Sequence, residues 1–298
     1  MDPQRRICDY ESSDYRTDFW EGQGRQYEDL AERIALRRLL PPAGRCLLDI
    51  GAGFGRLAEF YAGYQRVVLL DYSRTLLRQA QARLGRDDRL KYVAASFYEM
   101  PFADGAFDAA MMIRVMHHVE DVPALLGQMA HVLAGDGSYV LEFASKRNLK
   151  AILRYLLRRQ RWSPFDPTPY EFTEMNYDFH PTWMRERLVE AKFHVKHQLT
   201  VSHFRLPLFK RLIPARILAA ADGLCQPTGQ WWQLTPSVFL LCIADKPKGA
   251  PHPDSLFRCP ACGCQDLQES AAAIGCPACG RRWPVEDGIY DFKSSLPG

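Results

Sequence analysis

The sequence predicts an α/β fold: a Rossmann-like, doubly wound and mostly parallel sheet with a helical cover, followed by a small C-terminal zinc ribbon. Three observations carry this. Short apolar runs alternate with helical periodicities between residues 46 and 144, as in strands joined by crossover helices. A glycine-rich turn, Gly51-Ala52-Gly53-Phe54-Gly55, follows the first of those runs. Five of the nine cysteines fall between residues 259 and 279, four of them in two Cys-x-x-Cys pairs.

Taken in order, Tyr27, Leu30, Ala31 and Ile34 recur at helical spacing, and Pro41-Pro42 stops a helical lead-in over 14–40. Strands follow at 46–50, 66–70, 90–94, 107–113 and 138–144, with helices at 56–62, 75–84 and 124–133. A basic helix over 146–160 leads to a Pro- and aromatic-rich loop over 161–180. Pro181 opens a helix over 181–191, because proline suits a first helical position. Strands at 195–201 and 236–244 flank an insertion, 205–235, that holds a helix over 214–221 and the pair Trp231-Trp232. The expected organisation is one α/β domain over 1–245, with an N-terminal helical cap over 1–40 and cover insertions over 146–235. A Pro- and Lys-rich linker over 246–256 joins it to a cysteine module over 257–298.

The chain has 298 residues, 47% of them hydrophobic, enough for a substantial core. A net charge of +3 does not by itself imply a nucleic acid partner. No apolar run reaches the roughly 18 residues of a membrane span, and Met1-Asp2-Pro3-Gln4-Arg5-Arg6 has no apolar stretch behind it. Cys8, Cys46, Cys225 and Cys242 are scattered, mostly beside apolar residues. That is the usage of a reduced compartment, so a cytoplasmic location is expected.

Gly51, Gly53 and Gly55 sit between a strand and a helix, where glycine permits a tight turn and close approach of a ligand to the backbone. Ligands of open parallel sheets lie at the carboxyl ends of the strands. Asp71 ends the next strand, where a carboxylate accepts hydrogen bonds from ribose hydroxyls. A nicotinamide dinucleotide would call for glycine at position 56, which holds Arg56. Asp49 before the loop would repel a pyrophosphate and suits an ammonium group instead.

Several segments in order carry a resemblance: Leu47-Leu48-Asp49-Ile50-Gly51-Ala52-Gly53-Phe54-Gly55, Leu70-Asp71-Tyr72-Ser73, Met100-Pro101-Phe102, Val115-Met116-His117-His118-Val119 and Leu133-Ala134-Gly135-Asp136-Gly137. Residues 45–145 resemble the class I S-adenosylmethionine-dependent methyltransferases, in the subgroup that includes ubiquinone and menaquinone biosynthesis enzymes. The resemblance implies that S-adenosylmethionine lies against Asp49, Gly51, Ala52, Gly53 and Gly55, with Asp71 on the ribose and Tyr72 beside the adenine. Where the family often has an aspartate for the adenine amino group, this chain has Ser96, followed by Phe97. His117 and His118 have two readings, packing at a strand end or acid–base work. Arg114 follows a buried strand and is expected to face the crevice, against cofactor or an anionic part of the acceptor, the other reading being a surface or capping arginine. His180 precedes the helix expected to cover the acceptor. No motif fixes a catalytic base.

Lys146, Arg147, Lys150, Arg154, Arg158, Arg159 and Arg161 have no acid among them, and Leu149, Ile152, Leu153, Leu156 and Leu157 share one helical face. Residues 204–212 have the same character. A basic amphipathic helix suits an anionic membrane or nucleic acid phosphates, and otherwise it is a helix with a solvated face. The expected acceptor is therefore a small molecule or lipid-like, with peripheral membrane contact through 146–161. Modification of RNA or protein, with the cysteine module recruiting substrate, is the alternative.

Cys259, Cys262, Cys276 and Cys279 form two knuckles separated by residues 263–275, a hairpin's length. Four thiolates make a closed, structural zinc site. Cys264 is an extra thiol. The tail Cys279-Gly280-Arg281-Arg282-Trp283-Pro284-Val285-Glu286-Asp287-Gly288-Ile289 resembles small zinc-ribbon proteins, some of which are activating subunits of methyltransferases that modify tRNA, rRNA or translation factors. The resemblance implies a module that docks on the sheet or helps recruit substrate.

Overall fold

β1 (Gly44–Ile50) has its last five residues buried and lies at the centre of the sheet. Its neighbours in the computed structural model, which describes residues 6–11, 13, 17, 20, 22–85, 87–247 and 255–297, follow from the crossovers. β2 (Tyr64–Asp71) pairs parallel on one side and β4 (Phe107–Met112) on the other. β3 (Leu90–Ala94) continues beyond β2, and β5 (Leu133–Ala144) beyond β4, both parallel. β9 (Ser237–Ala244) runs antiparallel between β5 and β8 (Phe193–Val201). The parallel strands are apolar on both faces, as helices on both sides require. Leu47 and Leu48 show this: each is fully buried, in separate cores on opposite faces.

On one face lie α1 (Gln26–Leu39), α2 (Arg74–Leu84) and α7 (Ala215–Cys225), through Leu36, Leu77 and Leu218. On the other lie α3 (Val122–Val132) and α5 (Pro181–Glu190), through Leu126, Met129 and Met184. Caps set several helix starts: Ser73 accepts from the Leu76 amide, Asp121 from Ala124 and Asn148 from Ala151. Two short helices, α4 (Leu149–Leu156) and α6 (Pro207–Leu212), belong to connections at the carboxyl edge.

Three expectations change. The helical lead-in is interrupted: Thr17 is helical, Gly22 and Gly24 at φ +76° and +64° break the chain, and α1 starts at Gln26; residues 14–16, 18, 19 and 21 lie outside the described residues. The stretch 56–62 is a series of turns ending in a 3-10 segment, Ala58–Tyr61, because Arg56 is drawn across to Asp29 and Glu32 of α1. The loop 161–180 contains a hairpin, β6 (Tyr170–Thr173) with β7 (Asn176–Asp178), turned by Met175 at φ +55°.

The sheet does not end at β3. β13 (Ile289–Asp291) pairs parallel with it, and β12 (Arg282–Glu286), β11 (Ala273–Gly275) and β10 (Gln268–Glu269) extend outward as an antiparallel meander, giving eleven strands. Phe257, Ile274, Trp283, Tyr290 and Phe292 join the core on the α3 and α5 side, each side chain contributing roughly 1.5–3 kcal/mol of burial. Lys246 holds the preceding chain by donating to the carbonyls of His131 and Leu133 and to Asp104. Among the described residues no helix is long and apolar enough to cross a membrane.

Candidate functional site

The carboxyl ends of β1, β2 and β4 open onto a cavity of about 870 Å3, counted with its mouth. The three loop glycines all lie at positive φ, for different reasons, and two of them line the cavity. Gly51 (φ +66°) has no room for a side chain, since a Cβ would overlap Cγ2 of Val115. Gly55 (φ +72°) packs on Leu84 and Ala80 of α2 and does not line the cavity, which corrects its expected role: the missing Cβ admits a helix, not a ligand. Gly53 (φ +54°) has nothing within 4 Å of where a Cβ would be, and it lines the cavity.

Two carboxylates flank the glycines, Asp49 buried and Asp71 partly buried. Asp71 accepts from the Gly53 amide at 2.8 Å and the Ser73 amide at 2.9 Å, which ties the tip of β2 to the loop. Burial pushes its pKa up to about 6 against those two bonds. Asp49 accepts from the Tyr61 hydroxyl at 2.5 Å, and burial, opposed by that bond and by Arg56, pushes it up to about 7. Each carboxylate keeps oxygen lone pairs free for a ligand, and a cationic group would relieve the cost of burying it.

Ala52, Tyr72, Phe97, Arg114 and His118 also line the cavity. Ser96 does not: its hydroxyl accepts from the Tyr98 amide at 3.1 Å within its own turn. His180 does not line it either, because its Nδ1 caps α5 by accepting from the Thr182 amide at 3.2 Å. Arg114 sits at φ +64° with its amide on Glu142, and this left-handed turn aims its guanidinium at Glu32. Glu32 is completely buried. Burial would raise its pKa, but Arg114 and Arg56 outweigh that and hold it low. The charge of Arg114 is thus already matched, and the residue serves as a wall rather than a free anion receptor.

His118 has a defined tautomer. Its Nδ1 lies 2.8 Å from the Met175 carbonyl, which can only accept, so Nδ1 carries the proton; Nε2 then accepts from the Tyr10 hydroxyl at 3.0 Å. Burial holds the pKa of His118 below the usual histidine range, and burial together with its neighbour lowers that of His117 further.

Cys8, Tyr10 and Trp20 also line the cavity, from an N-terminal segment in which no site residue was expected. Cys8 and Tyr10 belong to a described N-terminal stretch, residues 6–11, at the cavity. Glu11 anchors it by accepting from the Arg74 and Thr75 amides at the start of α2, and Arg6 reaches Glu120 and the Tyr177 hydroxyl. Arg56 stacks on the Trp20 ring at 3.9 Å. The available signal was the cluster Tyr10, Tyr15, Phe19 and Trp20 in an otherwise polar leader.

At the far edge the Sγ atoms of Cys259, Cys262, Cys276 and Cys279 all lie within 4.8 Å of one another. Cys259 to Cys279 is 3.7 Å and Cys262 to Cys276 is 3.5 Å. Cys264 stays outside this group.

Residues 48–141 match the family described as "Methyltransferase domain". The chain is 34% identical over 116 residues to the demethylmenaquinone methyltransferase of Clavibacter sepedonicus, covering 38% of this chain and 47% of that protein. It is 30% identical over 105 residues to the sterol 4-C-methyltransferase strm-1 of Caenorhabditis elegans, covering 34% and 31%. The chain therefore spans about half or less of the length of these curated relatives. Among solved structures, the complex between the Haloferax volcanii Trm112 methyltransferase activator and the putative methyltransferase has a chain similar in fold: TM-score 0.53, 17% identity, 76% of this chain and 95% of that one. A putative S-adenosylmethionine-dependent methyltransferase from Listeria monocytogenes gives 0.54 at 14% identity, over 74% and 99%. These likenesses show the Rossmann-like methyltransferase fold.

Proposed function

We propose that this chain transfers the methyl group of S-adenosylmethionine to a small-molecule or lipid-like acceptor. The observation that carries the reading is the arrangement at Gly53. A bare backbone faces open space between two carboxylates, the partly buried Asp71 suited to a ribose and the buried Asp49 to an ammonium group. Asp71 is placed to accept ribose hydroxyls, Asp49 to neutralise the methionine ammonium, and Tyr72 and Phe97 to flank the adenine. Bound there, the cofactor supplies an electrophilic methyl group, so the chain's main task is alignment of the acceptor atom in line with the methyl–sulfur bond. Tyr10 and Trp20 exclude water at the mouth. The hydrogen-bonded Tyr10 and His118 both line the cavity, and neutral His118 Nε2 takes up a proton where the acceptor must lose one. The names of the relatives, demethylmenaquinone and sterol methyltransferases, favour an apolar acceptor.

Cys259, Cys262, Cys276 and Cys279 fit a structural zinc ion. Zn–S bonds of about 2.3 Å in a tetrahedron put sulfurs ~3.8 Å apart, close to the separations found.

The second reading is an RNA- or protein-modifying enzyme. It is favoured by the cysteine module being joined edge-on to a methyltransferase sheet, a chain whose fold also resembles one from an activator complex. Cell extract incubated with the protein and methyl-labelled cofactor separates the two: label in the small-molecule or lipid fraction supports the first, and label in RNA or protein supports the second. Absence of cofactor binding by calorimetry would reject both.

A further inference from the structure

The apolar stripe of α4 faces solvent, not the core. Leu149, Leu153, Leu156 and Leu157 are each about half to two-thirds exposed, and Ala151 is the helix's one buried residue. α6 buries none of its residues, leaving Leu206, Leu208 and Leu212 outside. An amphipathic helix lowers the free energy of a fold only by burying that stripe, so these two helices are built for something beyond the monomer.

The elements that carry these exposed residues are neighbours. The Leu149 amide donates to the Leu234 carbonyl at 2.8 Å, which sets α4 beside the segment carrying Trp231 and Trp232, 74% and 55% exposed. That segment continues from α7, whose Leu224 is 83% exposed and against which α6 packs. Both stretches, 145–180 and 202–236, leave the sheet at its carboxyl edge, where Ala144 and Val201 each pair with Ser237. The methyl-transfer cavity opens at that same edge. α6 reaches α1, where Lys210 donates to Glu28 at 2.9 Å, and the adjacent Asp29 lines a second depression that shares Trp20, Phe54 and Arg56 with the cavity.

Charge identifies the occupant. Residues 146–161 and 205–216 hold eleven of the 38 lysines and arginines and no acid. The rest of the chain is left with 27 against 35 Asp and Glu, a net of −8. Lys146 is buried and donates to the Thr168 carbonyl, and Lys210 and Arg205 meet Glu28. Lys150, Arg154, Arg158, Arg159, Arg211 and Arg216 stay exposed around the leucines. Nucleic acid would use the cations but not a ridge of leucines and tryptophans. A second copy bringing the same patch would set cation against cation.

We propose that this face docks on an anionic lipid surface, with the leucines and the tryptophan pair entering the headgroup boundary and the arginines on phosphates. The inference extends the methyl-transfer reading by locating where a lipid-dissolved acceptor is met, but it is tested without turnover.

The experiment is co-sedimentation of the full chain with phosphatidylserine-rich vesicles and with pure phosphatidylcholine vesicles. Binding is expected to the first and not the second. K150Q/R154Q should weaken it roughly thirtyfold, at about fivefold per cation near such a surface. L153E/L156E and W231A/W232A should remove most of it, with S-adenosylmethionine affinity unchanged in all three. Wild-type protein left in the supernatant with anionic vesicles at low salt overturns the proposal. So does equal binding by wild type and all variants, retention on tRNA without vesicle binding, or a dimer abolished by L153E/L156E without vesicle binding. Loss of methyl transfer with vesicle binding intact would instead overturn the catalytic reading alone.

Discussion

The Lys293 ammonium lies 5.0 Å from the centre of the Tyr72 ring, so the cysteine module touches the wall of the cavity at the other end of the chain. The contact is reinforced by Arg74 of α2, which reaches Glu286 and Asp291, by Gln81 donating to the Asp287 carbonyl at 2.8 Å, and by the Phe292 amide donating to the Ala94 carbonyl. If zinc holds the module, a chelator or Cys262→Ser should lower the thermal midpoint and weaken cofactor binding together. Lys293→Gln should leave the midpoint within a degree or two and weaken binding ~2–5-fold, the scale of one cation–π contact. Calorimetry and thermal melts check both. A chain cut after Ala250 should aggregate, since it bares the β3 edge and the apolar residues packed beneath the module.

Asp49 links binding to pH. Its pKa in the unliganded fold is about 7, raised by burial, so the protonated form is the one the fold tolerates. The sign follows. Its contribution to stability is intact below the ordinary aspartate range and is lost as pH rises through about 7. An ammonium-bearing cofactor prefers the ionised form, so affinity should rise with pH up to about 7 and binding should expel a proton. Calorimetry in two buffers of different ionisation enthalpy measures this. Asp49→Asn should abolish the proton release that Asp49 contributes, leaving the smaller part due to Asp71, whose pKa is about 6.

Removing the charge of Glu32 should cost about 3 kcal/mol by urea unfolding, because Glu32→Gln leaves Arg56 and Arg114 poorly matched in a buried network. Retention of wild-type stability would show that water or another carboxylate satisfies those arginines.

The loop glycines should separate by function. Gly51→Ala forces its Cβ onto Val115 and should destabilise the fold by roughly 2–3 kcal/mol. Gly53→Ala meets open space and should cost only about 1 kcal/mol for its left-handed backbone, while weakening cofactor binding more than tenfold. Melts and calorimetry on the two variants give the comparison.

The central strands and α2, α3 and α5 were legible within a few residues, because each carries its own periodicity and several carry their own cap. Gly51, Gly53, Asp49 and Asp71 could be chosen as a site for the same reason: they sit at the ends of adjacent strands. Gly55 looked equivalent to them in one dimension, Ser96 stood where the family often has an aspartate, and His180 preceded the expected cover helix. Their packing against α2, a local turn and a helix start came from neighbours that spacing does not reveal.

By itself, then, the sequence determined the α/β order, the glycine loop with its two carboxylates, and the four-cysteine set, all encoded by residues close together in the chain. Tertiary structure decided the rest. It set Cys8, Tyr10 and Trp20 against the cavity, matched Arg114 to Glu32, and carried β13 alongside β3 to make the module part of the main sheet. It also turned the leucines of α4 outward. Each of these depends on groups far apart in sequence meeting, or failing to meet, in a low-dielectric interior where an unmatched charge or an unpaired strand edge is costly. Periodicity records which face of an element is apolar, but not what covers it.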